Sequence, residues 1–188
     1  MRVWRVVVVV GLLGCAPRTG SGPASELESP PEPPPMIETT GDGYTFRLSR
    51  DQSVSEATIV GAQAAVFQAL MTAYEDLGLE IAGADRVRGL VQGEPVAAVR
   101  ELAGEQMSTL FHCGQTLTGD RADSWRLEIE VTSQAQAVGA SQTKLTTRVN
   151  AFARTMDGSS TNPVQCATRG RLEEMIAATT ALRLKLPR

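Results

Sequence analysis

Seven residues, Trp125 to Val131, constrain the fold of this chain more than any other stretch. In WRLEIEV, Trp125, Leu127, Ile129 and Val131 alternate with Arg126, Glu128 and Glu130. A period of two with charge at every second place describes a strand with one face buried and the other in water. Such a strand needs a partner, and Thr143 to Thr155 supplies one. Leu145, Thr147, Val149, Ala151 and Ala153 share one face of it, while Lys144, Arg148 and Arg154 fall on the other, where they can pair across strands with Glu128 and Glu130. Ser133 to Gln142 reads as the turn region that joins the two into a hairpin.

A sheet with one apolar face must be covered. From Ala62, the residues Val66, Phe67, Leu70, Met71, Tyr74 and Leu77 recur at helical spacing, with Gly78 where a left-handed cap belongs. Thr168 to Leu184 reads as a second helix with Leu172, Met175, Ile176, Thr179 and Leu182 along one stripe and Arg169, Arg171, Glu173, Glu174 and Arg183 away from it. Between and before these lie Tyr44 to Leu48 as a strand and Ser49 to Glu56 as a loop. Leu79 to Ile81 and Val87 to Val91 read as a short hairpin. Pro95 to Leu102 reads as a weaker helix, Met107 to Phe111 as a short strand, Gln115 to Asp123 as a loop and Asp157 to Pro163 as a turn. The expected fold class is α+β: a two-layer sandwich, its antiparallel sheet covered on one face by two main helices, in a single domain over residues 43–188.

The chain opens MRVWRVVVVVGLLGC, with Arg2 and Arg5 ahead of an apolar run from Val6 to Leu13. This is the layout of a secretory signal, and the run falls short of the roughly 20 residues that span a bilayer. Leu12-Leu13-Gly14-Cys15 resembles the lipobox of bacterial lipoproteins. The resemblance implies cleavage after residue 14 and acylation of Cys15, and the alternative is a plain cleaved signal. One acyl chain holds marginally and two or more anchor stably, at about 0.8 kcal/mol per buried methylene. Ala16, rather than an aspartate, follows the cysteine, which implies the outer membrane, facing the periplasm. Residues 15–42, with Pro30-Pro31-Glu32-Pro33-Pro34-Pro35 at their centre, have little to bury and read as a disordered tether.

A second resemblance lies inside the domain. The helix followed by Leu77-Gly78-Leu79-Glu80-Ile81 and Ala84-Asp85-Arg86-Val87-Arg88-Gly89-Leu90-Val91 resembles a unit of the helix-grip domains in the accessory lipoprotein (C component) of the barrel assembly machinery. That protein has two such domains and this chain has one.

The whole sequence carries 18 basic and 21 acidic residues, a net charge of −3, and loss of the signal removes two of the arginines. A nucleic-acid partner calls for a basic face, so none is expected. Cys113 and Cys166 remain as an even pair in an oxidising compartment. A disulfide between them stabilises by about 3 to 4 kcal/mol through loop entropy; two buried free thiols are the alternative. His112 is the single histidine. Neighbours on a strand point to opposite faces, so His112 and Cys113 converge poorly on a zinc ion. A hydrolase needs a base beside its nucleophile, and there is no Gly-x-Ser-x-Gly elbow.

Asp85 and Arg86 read as turn residues, and Glu128 and Glu130 as a solvated sheet face rather than a glycosidase pair. Gly89, Gly93 and Gly104 lack the context of a phosphate loop. No catalytic residue, metal or cofactor is expected. Two functions stay open: a non-catalytic interaction or scaffold module docking an envelope protein complex, or a lipid or lipopolysaccharide binder with an apolar pocket between helices and sheet.

Overall fold

The computed structural model describes residues 36–49, 54–157 and 162–185. In chain order, β1 (Met36–Gly41) and β2 (Tyr44–Ser49) form a hairpin, and β3 (Val54–Val60) leads into helix α1 (Gln63–Asp76). A second hairpin, β4 (Ile81–Asp85) and β5 (Leu90–Gly93), is followed by β6 (Val96–Ala98). A less regular insert comes next. It holds the ribbon of β7 (Glu101–Leu102) and β8 (Glu105–Gln106), the one-turn helix α2 (Met107–Leu110), β9 (Phe111–His112), the ribbon of β10 (Gln115–Thr116) and β11 (Gly119–Asp120), and α3 (Arg121–Ser124). The long strands β12 (Arg126–Gly139) and β13 (Gln142–Arg154) then form the central hairpin, and β14 (Val164–Thr168) and helix α4 (Arg171–Lys185) close the described chain.

One ten-stranded antiparallel sheet organises these elements, in the order β1-β2-β3-β13-β12-β5-β4, with β14 beside β13, β6 beside β12 and β9 on β14. Strand makes up half of the described chain. The two-layer sandwich of a sheet with two covering helices is therefore corrected: the molecule is mostly sheet, and its helices are few. Strands whose inward residues are small or polar leave little trace in hydropathy. In β3 they are Ser55, Ala57 and Ile59, an alternation that hydropathy barely registers.

Other boundaries also move. β12 runs on through the supposed turn region to Gly139, because Ser133 and Ala135 face inward there. Pro95 precedes a strand, since Val96 to Ala98 pair with Ile129 to Leu127, and the helix expected at Pro95–Leu102 is absent. Met107–Leu110 is a helical turn where a strand was expected. Met36–Gly41, expected to lie in the tether, pairs with β2, and the rest of the expected tether before it lies outside the described residues. The expected signal segment and Cys15 lie outside the described residues.

The core lies on one face of the sheet. Phe46, Ile59, Val91, Leu127, Ile129 and Leu145 come from the strands, and α1 contributes Val66, Phe67, Leu70 and Tyr74, all nearly inaccessible to water. Each such aliphatic or aromatic side chain contributes about 1.5–3 kcal/mol. α1 ends at a Schellman cap: Leu79 N–H donates to Tyr74 O at 2.9 Å, Gly78 N–H donates to Glu75 O at 3.1 Å, and Gly78 sits at φ 69°. α4 packs along α1 and inserts Leu172, Ile176, Ala177 and Ala181. The insert completes the cover with Leu102, Met107, Leu110 and Phe111.

Candidate functional site

The opposite face of the sheet is open to water, its outward residues half-buried or exposed. The pleat that sends Leu127, Ile129 and Val131 inward sends Glu128, Glu130 and Thr132 outward. Register aligns outward residues across five strands. Glu38, Arg47, Glu56, Thr146 and Gln134 stand in one row. Arg47 contacts Glu38 at 3.4 Å, Lys144 contacts Glu56 at 3.2 Å and Arg154 contacts Glu128 at 3.2 Å. Arg148 and Glu130 make no ion pair among the described residues. Phe152, opposite Glu128, is 36% exposed and adds an aromatic edge. Exposed pairs of this kind contribute at most about 1 kcal/mol each. They set a pattern of charge on the open face more than they add stability.

Behind this face, the seam between α1 and the sheet holds a buried polar chain. The Tyr74 hydroxyl donates to Ser133 Oγ at 2.8 Å, and the Ser133 and Thr147 hydroxyls, register partners, are hydrogen-bonded at 3.0 Å with either able to donate. Burial pushes the Tyr74 hydroxyl well above the ordinary phenol range, partly opposed by the Ser133 bond. Phe67 and Leu70 pack in the same seam.

Cys113 and Cys166 are bonded, with Cα atoms 4.3 Å apart. The pairing of Ala167 with His112 and Thr168 with Phe111 brings the two cysteines opposite each other one step further along β9 and β14. This ties the insert to the strand that follows β13. His112 is exposed while Cys113 is buried, and the Cys113 sulfur is taken by Cys166. Nearby, the Arg121 guanidinium lies 5.1 Å from the centre of the Trp125 ring.

The remaining candidates are structural. The Asp85 carboxylate accepts the N–H groups of Val87 and Arg88 at 2.9 and 3.0 Å, so it shapes the β4–β5 turn, which begins after Asp85 rather than after Ile81. Glu128 pairs with Arg154, and Glu130 is exposed; both belong to the open face. Gly89 carries its positive φ of 66° in that turn, against the Ala135 carbonyl.

One residue is misplaced by sequence pattern. Glu173, expected on the wet side of its helix, is 0% exposed. Its Oε2 accepts the Thr168 hydroxyl at 2.9 Å, and its Oε1 has no hydrogen-bond partner among the described residues. Burial raises its carboxyl above the usual range, and the Thr168 and backbone hydrogen bonds oppose that rise. Its place one residue after Leu172 and three before Ile176 was the available signal, since that arc faces inward.

No protein-family profile and no curated protein matches the chain. Among solved structures, it is similar to a DUF4468 family protein from Bacteroides ovatus, at 11% identity over 80% of this chain and 91% of that one, with a TM-score of 0.35.

Proposed function

We propose that this chain is a lipid-anchored, periplasm-facing protein of the outer membrane. In this reading it is a non-catalytic interaction module that docks an envelope protein complex through the open face of its sheet. The observation that carries the reading is the Cys113–Cys166 bond in a chain whose one other cysteine, Cys15, ends the Leu-Leu-Gly-Cys sequence. A cross-strand disulfide supports an oxidising compartment, and Cys15 supports an anchor there. The open face supports docking because its charges stand in register on braced strands. The alternative, an apolar lipid pocket between α1 and the sheet, is disfavoured where Tyr74, Phe67 and Leu70 occupy the seam and Tyr74 is hydrogen-bonded to Ser133.

Two measurements test this. Intact mass of the chain recovered from membranes is expected to show acylation at Cys15 and loss of residues 1–14; an unmodified chain in the soluble fraction overturns the anchor. Reversing Glu130→Arg together with Arg148→Glu is expected to abolish co-purification of the envelope partner without lowering Tm. Unchanged co-purification removes the open face from the proposal.

A further inference from the structure

Three loop tips leave the sheet at one end, and each presents an exposed valine. Val60 ends β3 at 62% exposure, Val87 lies in the β4–β5 turn at 92%, and Val138 lies near the β12–β13 tip at 56%. The backbone braces all three. Gly61 N–H donates to Ser141 O at 2.9 Å, and Ala135 N–H donates to Gly89 O at 2.8 Å. Gln134 Nε2 donates to Arg88 O at 3.2 Å. Val60 is in register with Gln142, which pairs with Gly139. Single exposed apolar residues are ordinary; three on neighbouring tips of one end form a patch.

The charges around the patch select its occupant. Val87 stands between Arg86 and Arg88. Arg88 pairs with Asp85 at 3.6 Å, and Arg86 makes no ion pair among the described residues. At the same end, Lys185 is paired with Asp42 and Lys144 with Glu56. An aliphatic tip flanked by guanidinium groups fits a boundary where hydrocarbon lies beneath a layer of phosphate: the valine enters the acyl region, and the arginines reach the headgroups along their apolar stems. The sequence favours the same occupant. About 20 residues separate Cys15 from β1, a length that spans about 25 Å as a flexible coil and about 60 Å as polyproline II, a reach that includes whatever surface Cys15 is anchored in.

We propose that this end of the sheet is a lipid-contacting face, seated on an anionic phospholipid surface, an inference that rests on the acylation of Cys15 proposed above. The variants Val87→Cys, Val138→Cys and, as a control on the β10–β11 ribbon, Leu117→Cys are labelled with an environment-sensitive fluorophore in the full chain. Each is reconstituted into vesicles of phosphatidylethanolamine and phosphatidylglycerol. The labels at 87 and 138 are expected to shift to shorter wavelength and to be quenched at least two-fold by brominated lipid, with the label at 117 unchanged. Replacing phosphatidylglycerol by phosphatidylcholine, or adding Arg86→Glu with Arg88→Glu, is expected to halve that quenching. Labels at 87 and 138 that stay as wet as the one at 117 overturn the proposal. So does a shift that requires added membrane protein, which assigns the tips to a protein partner. Intact mass at Cys15 reports separately on the anchor, and in an unacylated chain carrying Cys15→Ser, so that no other thiol takes the label, the same labels added to preformed vesicles still decide the contact face.

Discussion

Tyr74 on α1 and Ser133 on β12 meet across the seam of the molecule through a 2.8 Å hydrogen bond, the hydroxyl of the tyrosine donating to the serine. Both residues are 0% exposed, and Thr147 extends the chain of hydroxyls. Leaving a buried donor without a partner costs about 1–3 kcal/mol, whereas removing the hydroxyl itself costs about 1 kcal/mol. Ser133→Ala is therefore expected to destabilise more than Tyr74→Phe, and the double variant less than the sum of the two. Urea denaturation of the three variants checks this order; equal and additive losses would show that the hydroxyls are not coupled.

Glu173 makes stability depend on pH. Its carboxyl is raised above the ordinary glutamate value of 4.5 by burial, so the native state holds a proton that the unfolded chain has released. Stability from this group is complete below the unfolded pKa and is lost as pH rises through the folded one. Glu173→Gln is neutral at every pH and is expected to flatten that decline. Thermal melts of both chains between pH 4 and 8 test it, and parallel curves would refute a buried acid.

Gly89 sits at φ 66° in the β4–β5 turn, and a Cβ placed there would lie 2.0 Å from the Ala135 carbonyl oxygen. The left-handed backbone alone costs a non-glycine residue about 1–3 kcal/mol, and the close approach adds to it. Gly89→Ala is expected to lower stability by more than Gly78→Ala, because Gly78 shares a positive φ but has open space around it. Comparison of the two denaturation midpoints separates backbone strain from steric overlap.

Reduction, or Cys113→Ser with Cys166→Ser, is expected to cost about 3 to 4 kcal/mol. Because the bond ties the insert to β14, hydrogen exchange is expected to rise first in residues 101–125 and least at Leu127 to Val131 in the central hairpin. Uniform loss of protection would mean that the insert and sheet open together.

Some of this molecule was legible from residue order alone. The central hairpin follows from the alternation in WRLEIEV and from the inward Leu145, Val149 and Ala151. Helix α1 follows from its apolar spacing and from Gly78. These patterns rest on differences in hydropathy large enough to be seen without a partner. β3 and the outer half of β12 were hidden, because Ser55, Ala57, Ser133 and Ala135 are buried by what lies over them.

By itself, the sequence determined the places where apolar residues recur at a period of two or of three to four, and it supplied an even pair of cysteines. Tertiary structure alone decided how many strands join the sheet, that Cys113 faces Cys166, and that Glu173 is sealed from water. Strand pairing and burial are relations between distant segments. Local periodicity carries no energy for them until the chain has folded.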